Sequence, residues 1–348
     1  MAKKETLDYG KLKRTLKEEG PQRIYLLYGP EEYLREDFTA ALKTMCLPDG
    51  EDDFSYKRLN QESFSVRAFC DAVDALPFLT ERTFVEVRGI DLNHITESDA
   101  DKLTKQVGDI PEYCTVAFVQ EAGFEPDGRK KLIKAIRKNG RDVEFTEQPQ
   151  SSIVKWVRKR FAAHEKQIDP ATADYLINYS GHLMQQLIPE IEKVAAYTKG
   201  DVVTTADIDA VASKSPETAV YELSDQLAIR NYDGAARVMG ELLGRKDTEP
   251  IMLLAMIANQ MRNIYAAKLA EREQREKGYL TEVTGVRFDF LIRKLRENAK
   301  RFSIARLERA IVLCAETDYA MKSTAADDEN LLKELLVKLA FDEGNGKN

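Results

Sequence analysis

Arg23-Ile24-Tyr25-Leu26-Leu27-Tyr28-Gly29-Pro30-Glu31-Glu32-Tyr33-Leu34-Arg35 is the stretch on which the fold turns. Its five consecutive large apolar residues, Ile24 to Tyr28, are too few for a helix and are closed by glycine, so they read as a buried strand. Pro30 fixes φ for a helix start, and the pattern beyond it is helical. A buried strand running through glycine into a helix opens an α/β sheet. It is also the setting of a phosphate-binding loop.

Further apolar or alternating runs lie at Phe54–Leu59, Phe84–Val87, Thr115–Val119 and Val143–Phe145. Helical patterns at Phe64–Leu76, Glu97–Val107 and Arg129–Asn139 separate them, and an amphipathic helix around Asp8–Glu18 precedes them all. Strand and helix alternating in this way predict a parallel five-stranded sheet with helices on both faces. Gln148-Pro149-Gln150-Ser151-Ser152 reads as a boundary, with a serine as N-cap of a helix at Ile153–His164. Beyond it the patterns are helical. Helices are expected at Pro170–Tyr179, at His182–Thr198 (where Pro189 should kink or split the helix) and at Thr205–Ser213, with Thr204 as cap and Asp207 as an early acid. Ser213-Lys214-Ser215-Pro216 makes a second boundary. After it Ala219–Ile229, Tyr232–Leu243, Pro250–Ala270, Phe288–Asn298, Ile304–Met321 and Glu329–Phe341 read as helices, and Asp342–Asn348 as a frayed tail. The plan is an α/β domain over 1–149, a small helical domain over 150–214 and a helical domain over 215–348.

A phosphate loop needs GxxxxGK[ST], so that backbone N–H groups and a lysine surround phosphate and a hydroxyl meets magnesium. Here Gly29-Pro30-Glu31-Glu32-Tyr33-Leu34-Arg35 offers no second glycine, no lysine and no Ser/Thr. Pro30 removes one amide, and Glu31 and Glu32 put carboxylates where phosphate would sit. Nor does any strand end in a paired Asp-Glu: Glu86 and Glu121 read as isolated acids. GxSxG, HExxH and GxGxxG are all missing, and Asp52-Asp53 and Asp327-Asp328 fall in hydrophilic turns. No catalytic site and no cofactor is expected.

The helical face Phe64, Ala68, Phe69, Ala72, Val73 and Leu76 runs into Leu76-Pro77-Phe78-Leu79, a proline-broken turn that is apolar where polar residues are the rule. Either the turn folds inward or it is an exposed knob.

The 348 residues are 43% hydrophobic and 32% charged, with net charge −7. That charge argues against a protein coated in nucleic acid throughout. No apolar run reaches membrane-span length and the N-terminus lacks a signal-peptide pattern, so a soluble cytoplasmic protein is expected. Cys46, Cys70, Cys114 and Cys314 are widely spaced, and His94, His164 and His182 stand at no ligand spacing. Reduced thiols and no metal are expected. Against the acidic whole, Arg129–Arg141 carries Arg129, Lys130, Lys131, Lys134, Arg137, Lys138 and Arg141 without an acid. That is a solvated helix face or a phosphate-tracking surface. A second excess, 13 basic against 7 acidic residues, lies between Arg262 and Arg309. In Pro250–Ala270 the apolar stripe Ile251, Leu253, Leu254, Met256, Ile257, Met261, Ile264 and Tyr265 suits a buried central helix or a subunit interface.

Four segments together carry a family resemblance: the strand with its degenerate turn and Tyr33-Leu34; the apolar turn at 76–79; Gly181-His182-Leu183 with Glu190-Ile191-Glu192-Lys193; and Thr248-Glu249-Pro250-Ile251-Met252-Leu253-Leu254. In this order and spacing the chain resembles the delta subunit of the bacterial DNA polymerase III clamp loader. Pro189 and Leu79 depart from the pattern. The resemblance implies an AAA+-like domain without an ATP site, then lid-like and collar domains. Leu76, Pro77, Phe78 and Leu79 would be the clamp-binding tip, with Phe78 the first anchor. Burying Leu76, Phe78 and Leu79 would supply on the order of 5–9 kcal/mol before association costs. The implied partners are the sliding clamp, the ATPase and other subunits of the loader, and primer-template DNA; no membrane is involved. Alternatives are an active AAA+ ATPase with an aberrant nucleotide loop, or another inactive loader subunit or DNA-binding replication adaptor.

Overall fold

The computed structural model describes residues 8–48, 50, 54–78, 80–246, 248–286 and 289–341. Leu79, Asp52, Asp53, Phe288 and the tail 342–348, all named above, lie outside the described residues. The chain divides into two compact units, one of residues 1–160 with 182–192 and the other of 161–181 with 193–348.

In the first unit, strands β1 (Ile24–Tyr28), β2 (Tyr56–Leu59), β3 (Thr83–Arg88), β4 (Cys114–Val119) and β5 (Arg141–Glu144) form one sheet in the order β2-β3-β4-β1-β5. Every neighbouring pair is parallel, with Tyr25 opposite both Ala117 and Arg141, and Tyr56 opposite Phe84. The helices are α1 (Tyr9–Glu19), α2 (Glu32–Cys46), α3 (Val66–Asp74), α4 (Glu97–Val107), α5 (Lys131–Asn139) and α6 (Gln150–Ala163). Because side chains alternate along a strand, a continuous apolar run serves two cores at once. Ile24, Leu26 and Tyr28 join Phe69 and Val73 of α3, Leu103 of α4 and Ile133 of α5 on one face. Tyr25 and Leu27 join Leu12 and Leu16 of α1 and Phe38 and Leu42 of α2 on the other. This is the AAA+-like α/β fold with helices on both faces.

α6 begins at Gln150, directly after Pro149, so Ser151 and Ser152 lie inside its first turn. The expected serine cap is therefore wrong by one turn; proline, which loses nothing at a helix start, sets the boundary instead.

The remaining helices are α7 (Pro170–Ser180), α8 (Met184–Tyr197), α9 (Thr205–Val211), α10 (Pro216–Ala228), α11 (Tyr232–Leu243), α12 (Pro250–Arg272), α13 (Lys277–Thr284), α14 (Asp289–Arg301), α15 (Ile304–Ser323) and α16 (Asp328–Phe341). α8 runs unsplit through Pro189. The Thr204–Asp207 capping box forms as its spacing predicts. Beyond β5 the described residues add only an isolated parallel bridge, Gln167 to Val202.

The second unit is built around α12, whose Leu253, Leu254, Ile257, Met261 and Ile264 enter one core with α10, α11, α14, α15 and α16. The stripe on α12 is thus mainly internal; Met256 and Tyr265 pack at its margin, and Ile251 and Met252 are exposed. One base of the 262–309 excess is internal too. Arg306 is buried, donating to the carbonyls of Leu227 (3.2 Å) and Leu339 (3.4 Å), with its guanidinium 4.7 Å from the Phe302 ring.

Candidate functional site

Two ends of the sheet matter. At the carboxyl end of β1, where a phosphate-binding loop would lie in an α/β sheet, the chain makes a closed internal contact. Gly29 adopts φ +113°, and a Cβ there would stand 2.6 Å from the Phe145 carbonyl oxygen, so only glycine fits between β1 and the chain leaving β5. Glu31 N–H donates to that same carbonyl (3.0 Å). Its side chain is fully buried and does not cap α2; it accepts a hydrogen bond from the backbone N–H of Met184, the first residue of α8, at 3.1 Å. The expectation that Glu31 fills the N-terminus of α2 is corrected: it occupies that of α8, where the helix dipole favours a carboxylate. Burial pushes Glu31 up to about 7, with the Met184 N–H opposing the rise, Glu147 adding to it and Arg35 opposing it. Arg35, also buried, donates to the Gly29 carbonyl at 2.6 Å. The turn is filled by its own side chains.

Glu86, near the end of β3 and expected to stand without a magnesium partner, is taken up by a hydroxyl and a guanidinium. It is buried, accepts from the Tyr56 hydroxyl (2.7 Å) and from Arg88 Nε, and Arg88 forks onto both oxygens of Glu36 at 2.8 and 2.7 Å. Arg88 is held above its usual range by these two carboxylates in spite of partial burial, which acts the other way and is the largest single effect. Glu86 is thus neutralised from within the domain. Among the described residues, no three His, Cys, Asp or Glu side chains group as a metal would need, and no helix is long and apolar enough to cross a membrane.

At the opposite end of the sheet, α3 delivers the apolar turn. Ser65 caps α3 by accepting from Ala68 N–H, and Phe69 and Val73 bury its inner face. Its last residue, Asp74, accepts from Gln106 Nε2 of α4 (2.8 Å) and, through its carbonyl, from the Tyr113 hydroxyl (3.3 Å). Past this fixed root the helix stops: Ala75 is extended, and Pro77 biases Leu76 away from helical backbone. Leu76 is 74% exposed, Phe78 71%, and Pro77 partly exposed. Inward folding is excluded for Leu76 and Phe78. On the far side Thr80 hydroxyl donates to the Arg82 carbonyl (2.8 Å), and Thr83 N–H to the Tyr113 carbonyl (2.8 Å). The result is an apolar knob on a hydrogen-bonded base.

The basic segment is less uniform than its sequence. Arg129 pairs with Asp127 (2.9 Å), Lys131 with Asp101 (3.1 Å) and Arg137 with Asp142 (2.8 Å). Leu132, Ile133 and Ile136 bury the inner face of α5. Lys130, Lys134 and Lys138 are exposed; Lys130 lies close enough to Asp127 to help Arg129 hold its carboxyl low, and no salt bridge to a described residue joins Lys134 or Lys138.

Comparison with known proteins then bears on the whole chain. The family model "DNA polymerase III, delta subunit" matches residues 25–146, and the model for the C-terminal domain of the same polymerase III delta protein matches 217–339. The chain belongs to the DNA polymerase III delta subunit family. DNA polymerase III subunit delta of Bacillus subtilis is 27% identical over 94% of this chain and 95% of its own length. A probable subunit delta of Aquifex aeolicus is 22% identical over 90% of each. The solved Bacillus subtilis DNA clamp loader delta protein superposes with TM-score 0.56 at 23% identity, covering 95% of this chain and 99% of that one, a likeness of fold. For a member of this family the nucleotide turn closed by Glu31 and the knob at Leu76–Phe78 become the two features that need a function.

Proposed function

We propose that this chain is the clamp-opening subunit of a replicative clamp loader: it binds the sliding clamp through Leu76, Pro77, Phe78 and Leu79, and opens it for loading onto primed DNA without hydrolysing ATP. The observation that carries this is the exposure of Leu76 and Phe78 on a turn rooted by Asp74 in a delta-family chain. Two large apolar side chains held out to water at a fixed spot are a hot spot in search of a pocket. A knob of this kind opens a ring only by binding the open form more tightly than the closed one; equal affinity for both shifts nothing. The turn at Gly29–Glu31 supports the other half of the proposal. Phosphate entering there meets a buried acid where donors are required.

In this reading 150–214 is the lid-like domain and 215–348 the collar that joins the ATPase and other subunits of the loader. The exposed Lys130, Lys134 and Lys138 track primer-template phosphates, while Arg129, Lys131 and Arg137 are partly neutralised by salt bridges to Asp127, Asp101 and Asp142.

A pull-down of the cognate clamp with the full chain tests the central contact. Wild type should retain the clamp in nucleotide-free buffer, and Leu76→Ala/Phe78→Ala should lose it while keeping its unfolding midpoint. Full retention by the double variant would remove the mechanism.

A further inference from the structure

Phe54 is an exposed aromatic that the sequence pattern assigns to a strand. The structure places it just outside β2, at 64% exposure, with its ring centroid 5.8 Å from that of Phe78 and tilted by 49°. Sheet topology brings the two together. β2 and β3 are parallel neighbours, so the segments that enter them emerge at the same end of the sheet, although 24 positions separate Phe54 from Phe78 in sequence. The junction is tied on the residues beside the rings. Ser55 carbonyl accepts from Phe84 N–H (2.8 Å), and the Thr80 and Ser55 hydroxyls stand 2.8 Å apart. Two aromatic rings and Leu76 therefore face solvent from two separate loops whose backbones are joined immediately behind them.

We infer that Phe54 is a third anchor of the clamp contact, so that the surface received by the clamp is composite, one ring from the loop before β2 and one from the turn before β3. This inference rests on the reading of Leu76 and Phe78 as the clamp-binding tip. The paired rings already shield part of each other, which lowers the side-chain freedom lost on docking; what remains exposed is a broad apolar wedge rather than a single finger. The site on the partner must then be a groove wide enough for two rings, and a pocket sized for one side chain leaves Phe54 in water. The strand pattern concealed this role because Phe54 and Tyr56 alternate with Ser55 and Lys57, so Phe54 reads as one more position of β2.

The experiment is equilibrium binding of the full chain to its cognate clamp, for wild type, Phe54→Ala and Leu76→Ala/Phe78→Ala, with hydroxyl-radical footprinting of wild type as a mutation-free second readout. Phe54→Ala should weaken binding at least fivefold with an unchanged unfolding midpoint, and Phe54 should become protected when clamp is added. A loss smaller than fivefold without protection, while the double variant fails to bind, overturns the inference alone. If the double variant binds like wild type, the reading beneath it fails as well.

Discussion

Glu31 shows how one residue closes a site. A neutral side chain of the same shape would satisfy the Met184 N–H equally well, so the charge itself is a burden that burial imposes. Its folded pKa of about 7 lies above the ordinary 4.5, so between these values the folded chain keeps a proton that the unfolded chain has released. The stability this group confers is therefore complete below about pH 4.5 and declines as pH rises toward 7. Glu31→Gln should be more stable than wild type at pH 8 by about 1–3 kcal/mol, with the gap closing near pH 4.5, as read by urea unfolding at both pH values. A variant no more stable than wild type at pH 8 would show that the carboxylate is better accommodated than its surroundings suggest. Gly29 makes a companion case. Gly29→Ala must fit a methyl within 2.6 Å of the Phe145 carbonyl at φ +113°, so a loss of about 2 kcal/mol or more is expected in the same measurement. The composition of this turn was readable because its missing residues are chemical requirements. That Glu31 reaches α8 was not, since a contact across 153 positions leaves no local pattern.

Among the elements, α5 divides the basic segment by geometry rather than by composition. Residues three and four apart share a helix face, so Lys130, Lys134 and Lys138 project together, while Lys131 and Arg137 meet Asp101 of α4 and Asp142 of β5 and Arg129 meets Asp127 in the loop before α5. If that row tracks phosphates, Lys134→Ala/Lys138→Ala should reduce the salt dependence of primer-template binding by the loader, lowering the slope of log K against log salt by up to about 2. An unchanged slope would make the row a solvated face. Strands and long helices were legible wherever periodicity spans two turns or a full buried run. α13 was not: Lys277–Thr284 is short, contains Gly278 and, among the described residues, places only Leu280 fully in the core, too little for a pattern. The apolar turn after α3 was legible as an anomaly, yet its direction was open, because the same residues suit a folded-in loop and a knob. Pro77 and the hydrogen bonds at Asp74 decide it.

For the molecule as a whole, the two ends of the sheet differ. Its end at Gly29 and Glu31 is filled from within, and its end at Leu76, Phe78 and Phe54 exposes large apolar side chains. The proposed account is that an AAA+-like frame serves here as a rigid mount for an apolar wedge, with energy for ring opening drawn from the wedge's preference for the open clamp and not from a nucleotide at Gly29. Ring opening itself is the direct test. With a fluorescence pair placed across one interface of the cognate clamp, wild-type chain added without nucleotide should increase the separation, and Leu76→Ala/Phe78→Ala should leave it at the closed value even at tenfold higher concentration. A closed ring with bound wild-type chain, or opening that survives loss of both side chains, would contradict the account.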